Sequence, residues 1–212
     1  MFSRDGIEYG LVEEAEVDAM ASLLAGCFSR FEPMAVALGL PYGEIQGLVK
    51  AFGPKALSEQ LTIVAREVST GRLVGALLTD DFGTPPPEAL DAKAPTFAPV
   101  GALLDGLDEK YRATRAVEPG THLHLFMVGV AQETTSRGIA GNLIAACLAN
   151  GKSRGYWRAV TEATGASSQH VFRKCGFEEL FLASYRQFTF NGQRVFASIV
   201  DPEGAALMAR DL

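Results

Sequence analysis

The run "HLHLFMVGV", the polar loop "AQETTSRG" and the apolar run "IAGNLIAACLAN" follow one another without a break from residue 122 to residue 150. Alternation, then polarity, then an apolar pattern of helical period predicts a strand, a loop and a helix. Gly138, Ala140 and Gly141 crowd the junction between loop and helix. Glycine weakens a helix, so its presence there calls for a cause. A helix N-terminus offers unpaired N–H groups and the positive end of a dipole, and small residues let a ligand approach that backbone. Thr135, Ser136 and Arg137 add hydroxyls and a positive charge beside it. A phosphate-bearing ligand meets these conditions, and tight packing of the helix on a sheet is the alternative. The Gly-Lys-Ser/Thr ending of a Walker loop is missing, and so are the third glycine and following acid of a Rossmann fingerprint.

Gly129 interrupts the preceding strand, and an interior strand glycine marks a bulge or a close backbone approach. A ligand paired with Val128 and Val130 as an added strand would lay its phosphate end on the helix terminus, at Thr135 through Gly141 with Ile139 among them. A molecule with an amide-rich arm and a pyrophosphate satisfies both demands, and coenzyme A is such a molecule.

The remaining chain reads as alternating elements. A strand over 7–12 leads to an acidic helix start and to Val17, Met20, Ala21, Leu24, Phe28 and Phe31 at helical spacing. This helix must end near Glu32, because Pro33 pushes its predecessor out of helical geometry. A second helix is predicted over 42–57. "LTIVAREV" and "LVGALLTD" make a hairpin around "STGR", with Gly71 in the turn. Residues 82–120 form an inserted segment, with three consecutive prolines and then a helical stripe at Leu103, Leu104, Leu107 and Tyr111, and serve as a candidate lid or interface. After the central helix, ended by Asn150-Gly151, come the strand "YWRAVTEA", the short helix "SSQHVFRKCGF" and two strands around the type I′ signal Asn191-Gly192. The order implies one domain over residues 1–212, an α/β fold whose mixed sheet carries helices on both faces.

The chain of 212 residues carries 19 basic against 25 acidic side chains, a net charge of −6, with no basic cluster. Nucleic acid is thereby disfavoured as a partner, and a cationic small molecule mildly favoured. Cys27, Cys147 and Cys175 are odd in number and widely spaced, which suits a reducing compartment. No apolar run reaches the roughly 20 residues of a membrane span, so a cytoplasmic location is expected, with no membrane partner and a monomer or homodimer as the assembly.

The segment from Val130 to Ala140, a valine followed by Thr135-Ser136-Arg137-Gly138-Ile139-Ala140, resembles the acetyl-CoA motif of the GNAT N-acetyltransferases, Q/R-x-x-G-x-G/A. "SSQHVFRKCGF" resembles the same family's later motif. The resemblance implies a GNAT fold, with a mixed and mostly antiparallel sheet, and acetyl-CoA as co-substrate, with no metal. "CFSRFEPMAVALGL" and "SYRQFTFNGQRVF" are similar to the insect dopamine-type arylalkylamine N-acetyltransferases, whose Glu-Pro glutamate acts as base. That role carries over to Glu32. Two departures stand out: Thr135 replaces the usual Gln or Arg, and Phe172 replaces the tyrosine that protonates the leaving thiolate in many members.

Acyl transfer to an amine needs a free lone pair. An alkylammonium with pKa near ~10.4 costs about 4.6 kcal/mol to deprotonate at pH 7, whereas a thiolate of pKa near ~8.5 leaves at a deficit of only about 2 kcal/mol. The base therefore matters more than the missing tyrosine. Glu32 is the first candidate, a solvated helix-end glutamate being the plain alternative. His124 is a candidate proton relay, on a strand face that alternation assigns jointly to His122, Phe126, Val128 and Val130. Ser168, four residues before Phe172, could bond the departing sulfur or cap its own helix. Tyr185 is a more remote hydroxyl, and Cys175 reads as packing. Phe28 and Phe31 would line the pocket of a small primary amine, arylalkylamine or polyamine. The alternatives are a protein or peptide acceptor and a CoA-binding sensor without catalysis.

Overall fold

The computed structural model describes residues 2–87 and 95–212. Its strands are β1 (Phe2–Arg4), β2 (Ile7–Leu11), β3 (Ile63–Glu67), β4 (Leu73–Asp81), β5 (His122–Val130), β6 (Arg158–Ala163), β7 (Glu178–Ser184) and β8 (Gly204–Asp211). They form a sheet in the order β1-β2-β3-β4-β5-β6-β8-β7. Every neighbouring pair is antiparallel except β5 and β6.

Seven helices cover the sheet among the described residues: α1 (Val17–Phe31), α2 (Pro33–Leu38), α3 (Tyr42–Ala51), α4 (Gly53–Glu59), α5 (Ala98–Thr114), α6 (Ile139–Ser153) and α7 (Ala166–Lys174). Alternation along the strands sorts the side chains between two cores. Ile63 and Leu77 join α6 through Leu143, Ile144 and Cys147 on one face. Val64, Ala76 and Leu78 meet Met20, Ala21 and Leu24 of α1 on the other. On that second face α5 sets Leu103, Leu107 and Tyr111 against Val160 and Leu207. Leu24 and Leu143 are wholly buried, each worth roughly 1.5–3 kcal/mol of apolar transfer. Arg66 of β3 fixes the start of α1, with its Nε and Nη2 each 2.6 Å from a Glu16 oxygen and Nη2 also 2.7 Å from the Leu11 carbonyl.

Several boundaries differ from the sequence expectation. The helix predicted over 42–57 is two helices, because the Phe52–Gly53–Pro54 junction starts α4 with proline in its first turn. Pro33 ends α1 as predicted but also opens α2, for which it is the first residue. Helix α6 runs past Gly151, where an added Cβ would overlap Leu123 of β5, so this glycine is a contact point rather than a terminus. The Asn191-Gly192 turn exists, with both φ positive, yet closes only a bridge between Phe190 and Gln193 inside the connection from β7 to β8. Within 82–120 lie a 3-10 turn, Pro95–Phe97, and α5, while residues 88–94 of that segment lie outside the described residues.

The bulge in β5 is at Phe126, not Gly129. Leu78 pairs with Met127 but Thr79 pairs with Leu125, leaving Phe126 as the extra residue, whereas Gly129 pairs regularly with Ala76. An inserted residue reverses the alternation beyond it. Val128 and Val130 consequently join Leu123 and Leu125 on the α6 side, and the single face expected for His122, His124, Phe126, Val128 and Val130 is divided. Gly129 is small for a different reason: a Cβ there would stand 2.9 Å from Leu24 Cδ2 and 3.2 Å from Cys27 Sγ of α1.

Candidate active site

Strands β5 and β6 pair only from His122–Arg158 to His124–Val160, although both continue. At the fork the Thr161 hydroxyl donates to the Leu125 carbonyl at 2.8 Å. Beyond it a cavity of about 330 Å³ opens, lined by 125–130 of β5 and 161–163 of β6. Ala140 and Phe172 reach it from the α6 and α7 side of the sheet, and Phe28, Glu32 and Leu104 from the other. A gap between two strands thus joins the two faces of the molecule at one place.

The α6 side has the features of an anion cradle. Gly138 takes φ 72°, and α6 has no side-chain cap among the described residues, so the N–H groups of its first turn have no partner there. A Cβ at Gly138 or Gly141 would meet nothing within 4 Å, so the approach is open. Ala131 N–H donates to the Val74 carbonyl on β4, and strand alternation turns the backbone groups of Val130 and Val128 to the opposite edge, toward the fork. The Cys27 thiol lies 3.4 Å from the Val130 carbonyl there. The loop side chains are less available than their composition suggests: Thr135 Oγ1 bonds back to Gln132 O at 2.9 Å, and Arg137 Nη2 donates to Asp5 O at 2.8 Å. Ser136 holds φ 67°, and Ile139 is buried in the α6 core. The backbone of this loop and helix terminus fits a pantetheine arm and its pyrophosphate.

Glu32 stands on the opposite wall. Its carboxylate caps α2, accepting the Met34 N–H at 3.1 Å and the Ala35 N–H at 2.5 Å. Pro33 packs on Gly165, where a Cβ would be 3.5 Å from Pro33 Cδ, and this contact brings the Glu32 corner to the β6–α7 turn. Burial pushes the Glu32 pKa above the ordinary carboxylate value, against the Ala35 N–H, the Thr164 hydroxyl and the Met34 N–H, which favour the ionised form. Phe31 lines the cavity while 62% exposed, and Phe28 lines it half-buried.

Ser168 lines the cavity, and its hydroxyl closes the turn into α7, donating to Gly165 O at 2.8 Å and accepting from Gly165 N at 3.1 Å. Phe172 is 2% exposed and packs edge-on against Phe177 at 5.0 Å. The Tyr185 hydroxyl donates to the Thr164 carbonyl at 2.7 Å, and burial followed by the Glu32 charge raises its pKa. Cys175 sits away from the cavity wall, with burial raising its thiol pKa.

His124 lies beside rather than within the cavity wall. Its Nδ1 is 3.0 Å from Asp80 Oδ1 and its Nε2 2.8 Å from Glu162 Oε2. Burial opposes its charge, but the two carboxylates prevail and raise its pKa well above the usual imidazole value. A carboxylate oxygen faces each ring nitrogen, and the protonated ring is the form that donates to both. His122 is the reverse case, pushed down to about 4 by burial and by Arg158, Arg115 and Arg112.

No sequence motif marks Thr164, Cys27, Asp80, Asp108 or Glu162 as part of a site. One signal existed for Glu162: a carboxylate inside the apolar strand "AVTEA" is seldom buried without a role. Among the described residues no helix is long and apolar enough to cross a membrane.

The family model described as acetyltransferase (GNAT) family matches residues 56–177, more than half of the chain. No curated protein matches it. Solved structures are similar over nearly all of it. The C-terminal condensation domain of Ebony, in complex with β-alanyl-dopamine, has a TM-score of 0.89 at 15% identity, covering 97% of this chain and 99% of that one. Arylalkylamine N-acetyltransferase 2 of Aedes aegypti gives 0.79 at 21%, covering 98% and 99%. The Drosophila melanogaster polyamine N-acetyltransferase, which forms N-acetylagmatine, gives 0.75 at 17%, covering 97% and 99%.

Proposed function

Because this chain belongs to the acetyltransferase (GNAT) family, we propose that it transfers an acetyl group directly from acetyl-CoA to the primary amine of a small molecule, of the arylalkylamine or polyamine type. Acetyl-CoA supplies the activated acyl group. Val128 and Val130 would pair with its pantetheine arm along the free edge of β5, and the N–H groups from Thr135 to Gly141 would hold its pyrophosphate. Glu32 accepts the ammonium proton, directly or through water. Backbone N–H groups at the β5 fork, beside the Phe126 bulge, polarise the acyl carbonyl as charge develops on it. Ser168 is the nearest hydroxyl for the departing sulfur, and Phe172 gives that region an apolar wall.

The observation that carries this reading is a half-buried carboxylate of raised pKa on the wall of a cavity whose other end is an uncapped helix terminus. A carboxylate shifted toward the working pH is a better general base than an ordinary one. Direct transfer is favoured over an acyl-cysteine relay because burial raises the pKa of Cys27, the thiol on the cavity wall. Leu104 and Phe97 roof the cavity, which suits a small acceptor better than a polypeptide. The test is release of free thiol from acetyl-CoA with a panel of amines. Amine-dependent release supports the reading, and binding of CoA with no release at any amine would favour a sensor.

A second reading concerns the donor. The 0.89 TM-score belongs to a condensation domain solved with β-alanyl-dopamine, and Thr135 stands where the resembled motif carries Gln or Arg. A β-aminoacyl thioester would then be the better donor. Parallel assays with acetyl and β-alanyl thioesters of CoA and of pantetheine separate the two by kcat/KM.

A further inference from the structure

The cavity at the fork does not end at Phe126. Leu48, Phe97, Val100, Leu104, Phe126 and Glu162 line it and also line a second chamber of about 230 Å³ between α5 and the sheet. The far wall of that chamber is ionic, with Asp80, His124 and Glu162 from the sheet and Asp108 and Arg112 from α5. Most of these charges are already engaged. His124 bridges Asp80 and Glu162, Asp80 also lies 3.7 Å from Lys55 of α4, and Arg112 donates to the Phe82 carbonyl at 2.6 Å while stacking 4.2 Å over its ring. Two oxygens remain. Glu162 Oε1 and Asp108 Oδ1 are enclosed, with no donor among the described residues beyond a proton the two carboxyls share, and the Glu162 side chain is only 3% exposed.

We propose that this second chamber holds the distal cation of the acceptor, so that the preferred substrate carries two basic nitrogens, one presented to Glu32 and the other, an ammonium or guanidinium, bound by Asp108 and Glu162. The inference rests on the amine-acetylation reading above and names the acceptor class for it. The residues between the two ends, Phe97, Val100, Leu104 and Phe126, are apolar, which suits a methylene or aryl spacer and penalises a charge midway.

The resting pair is stabilised by a shared proton. Burial and the Glu162 charge push the Asp108 pKa up to about 9, so its carboxyl is protonated at neutral pH. A docking cation supplies N–H donors to both oxygens in place of that single shared proton. Asp108 then ionises, its proton passing to solvent, so one positive charge enters as another leaves and the chamber keeps its net charge. His124 and Lys55 remain paired with Asp80, and Arg112 stays over Phe82.

Calorimetry with putrescine and cadaverine against butylamine and pentylamine, in the presence of CoA, tests this. A charge-assisted buried bond predicts that each diamine binds at least about tenfold tighter than the monoamine of equal chain length. Repeating the titration near neutral pH in buffers of different ionisation heat should show close to one proton released per diamine and none per monoamine. Asp108→Asn should bring the diamine-to-monoamine ratio near unity, and Glu162→Gln should lower it. Equal affinities in the wild-type protein, or a preference that survives Asp108→Asn, overturn the proposal, and the wild-type comparison stands even where a variant does not fold. Thiol release is scored separately: no turnover with any amine sinks the acetylation reading and leaves the binding comparison to decide the chamber.

Discussion

Replacing Glu32 by Gln separates its two roles. The carboxylate caps α2 with both oxygens, on the Met34 and Ala35 N–H groups, and in the proposed reaction it also takes a proton. Gln keeps one carbonyl oxygen, so one capping bond survives and the loss is about 0.5–1.5 kcal/mol, or roughly 1–6 °C in melting temperature for a chain of this size. The catalytic cost is larger. General bases contribute roughly 10²–10⁴-fold, and the alkylammonium deprotonation cost of about 4.6 kcal/mol corresponds to about 2,500-fold at pH 7. The variant should therefore lose about 10²–10³-fold in kcat/KM at pH 7 while its affinity for CoA stays nearly the same. The pH profile is the sharper readout. Without a base only free amine reacts, so kcat/KM of the variant should climb about tenfold per pH unit up to the amine pKa near ~10.4, while the wild-type profile is flat over much of that span. The gap closes as pH rises. Full activity at pH 7 would remove Glu32 from the reaction. A loss of constant size at every pH would make it a positioning group and refute the proton-transfer argument.

Gly129→Ala should destabilise the protein by about 1–3 kcal/mol, because the new methyl meets Leu24 and Cys27 of α1, and denaturant unfolding measures it. A neutral result would mean that α1 does not pack against β5 as described. Gly138→Asp places a carboxylate in open space at the α6 terminus, so it should raise the Kd for acetyl-CoA on the order of tenfold or more by charge repulsion, at a stability cost of about 1–2 kcal/mol because φ 72° disfavours a side chain. Unaltered affinity would contradict the phosphate assignment. In ¹⁵N NMR, His122 should stay neutral down to about pH 4 and His124 should remain an imidazolium well above the usual ~6.5. Since the folded pKa of His124 is raised, its contribution to stability is fully present below ~6.5 and is lost as pH climbs through the folded value. A His124 titrating near 6.5 would break the Asp80–His124–Glu162 arrangement.

The strand, loop and helix around Gly138 were legible because each rests on local chemistry: alternation, a polar loop, an apolar period of 3.6 and glycine where φ turns positive. The Glu-Pro corner was legible too, since Pro33 constrains Glu32 whatever surrounds it. The order of elements already implied a mixed sheet with helices on both faces, and the family resemblance added that it is mostly antiparallel. Gly129 marked a close approach, but its partner is α1, more than a hundred residues earlier in sequence. The face of His124 was misassigned because period-two counting has no means of detecting the extra residue Phe126, which exists only relative to β4. Ser168 remained open between two uses, and its bonds to Gly165 show the capping one in place while it faces the cavity.

From its own residues the chain determines where strands and helices start, which backbone can receive an anion and which glutamate is bent out of a helix by proline. Tertiary structure alone decides that β5 and β6 part after His124, that Glu32 faces the gap so formed, and that Asp108 of α5 comes to rest beside Glu162 of β6. Those outcomes depend on which strand pairs with which and on burial, and both arise from contacts between residues far apart in the chain. A carboxylate that reads as ordinary in sequence acquires its proton affinity only once those contacts exclude water from it.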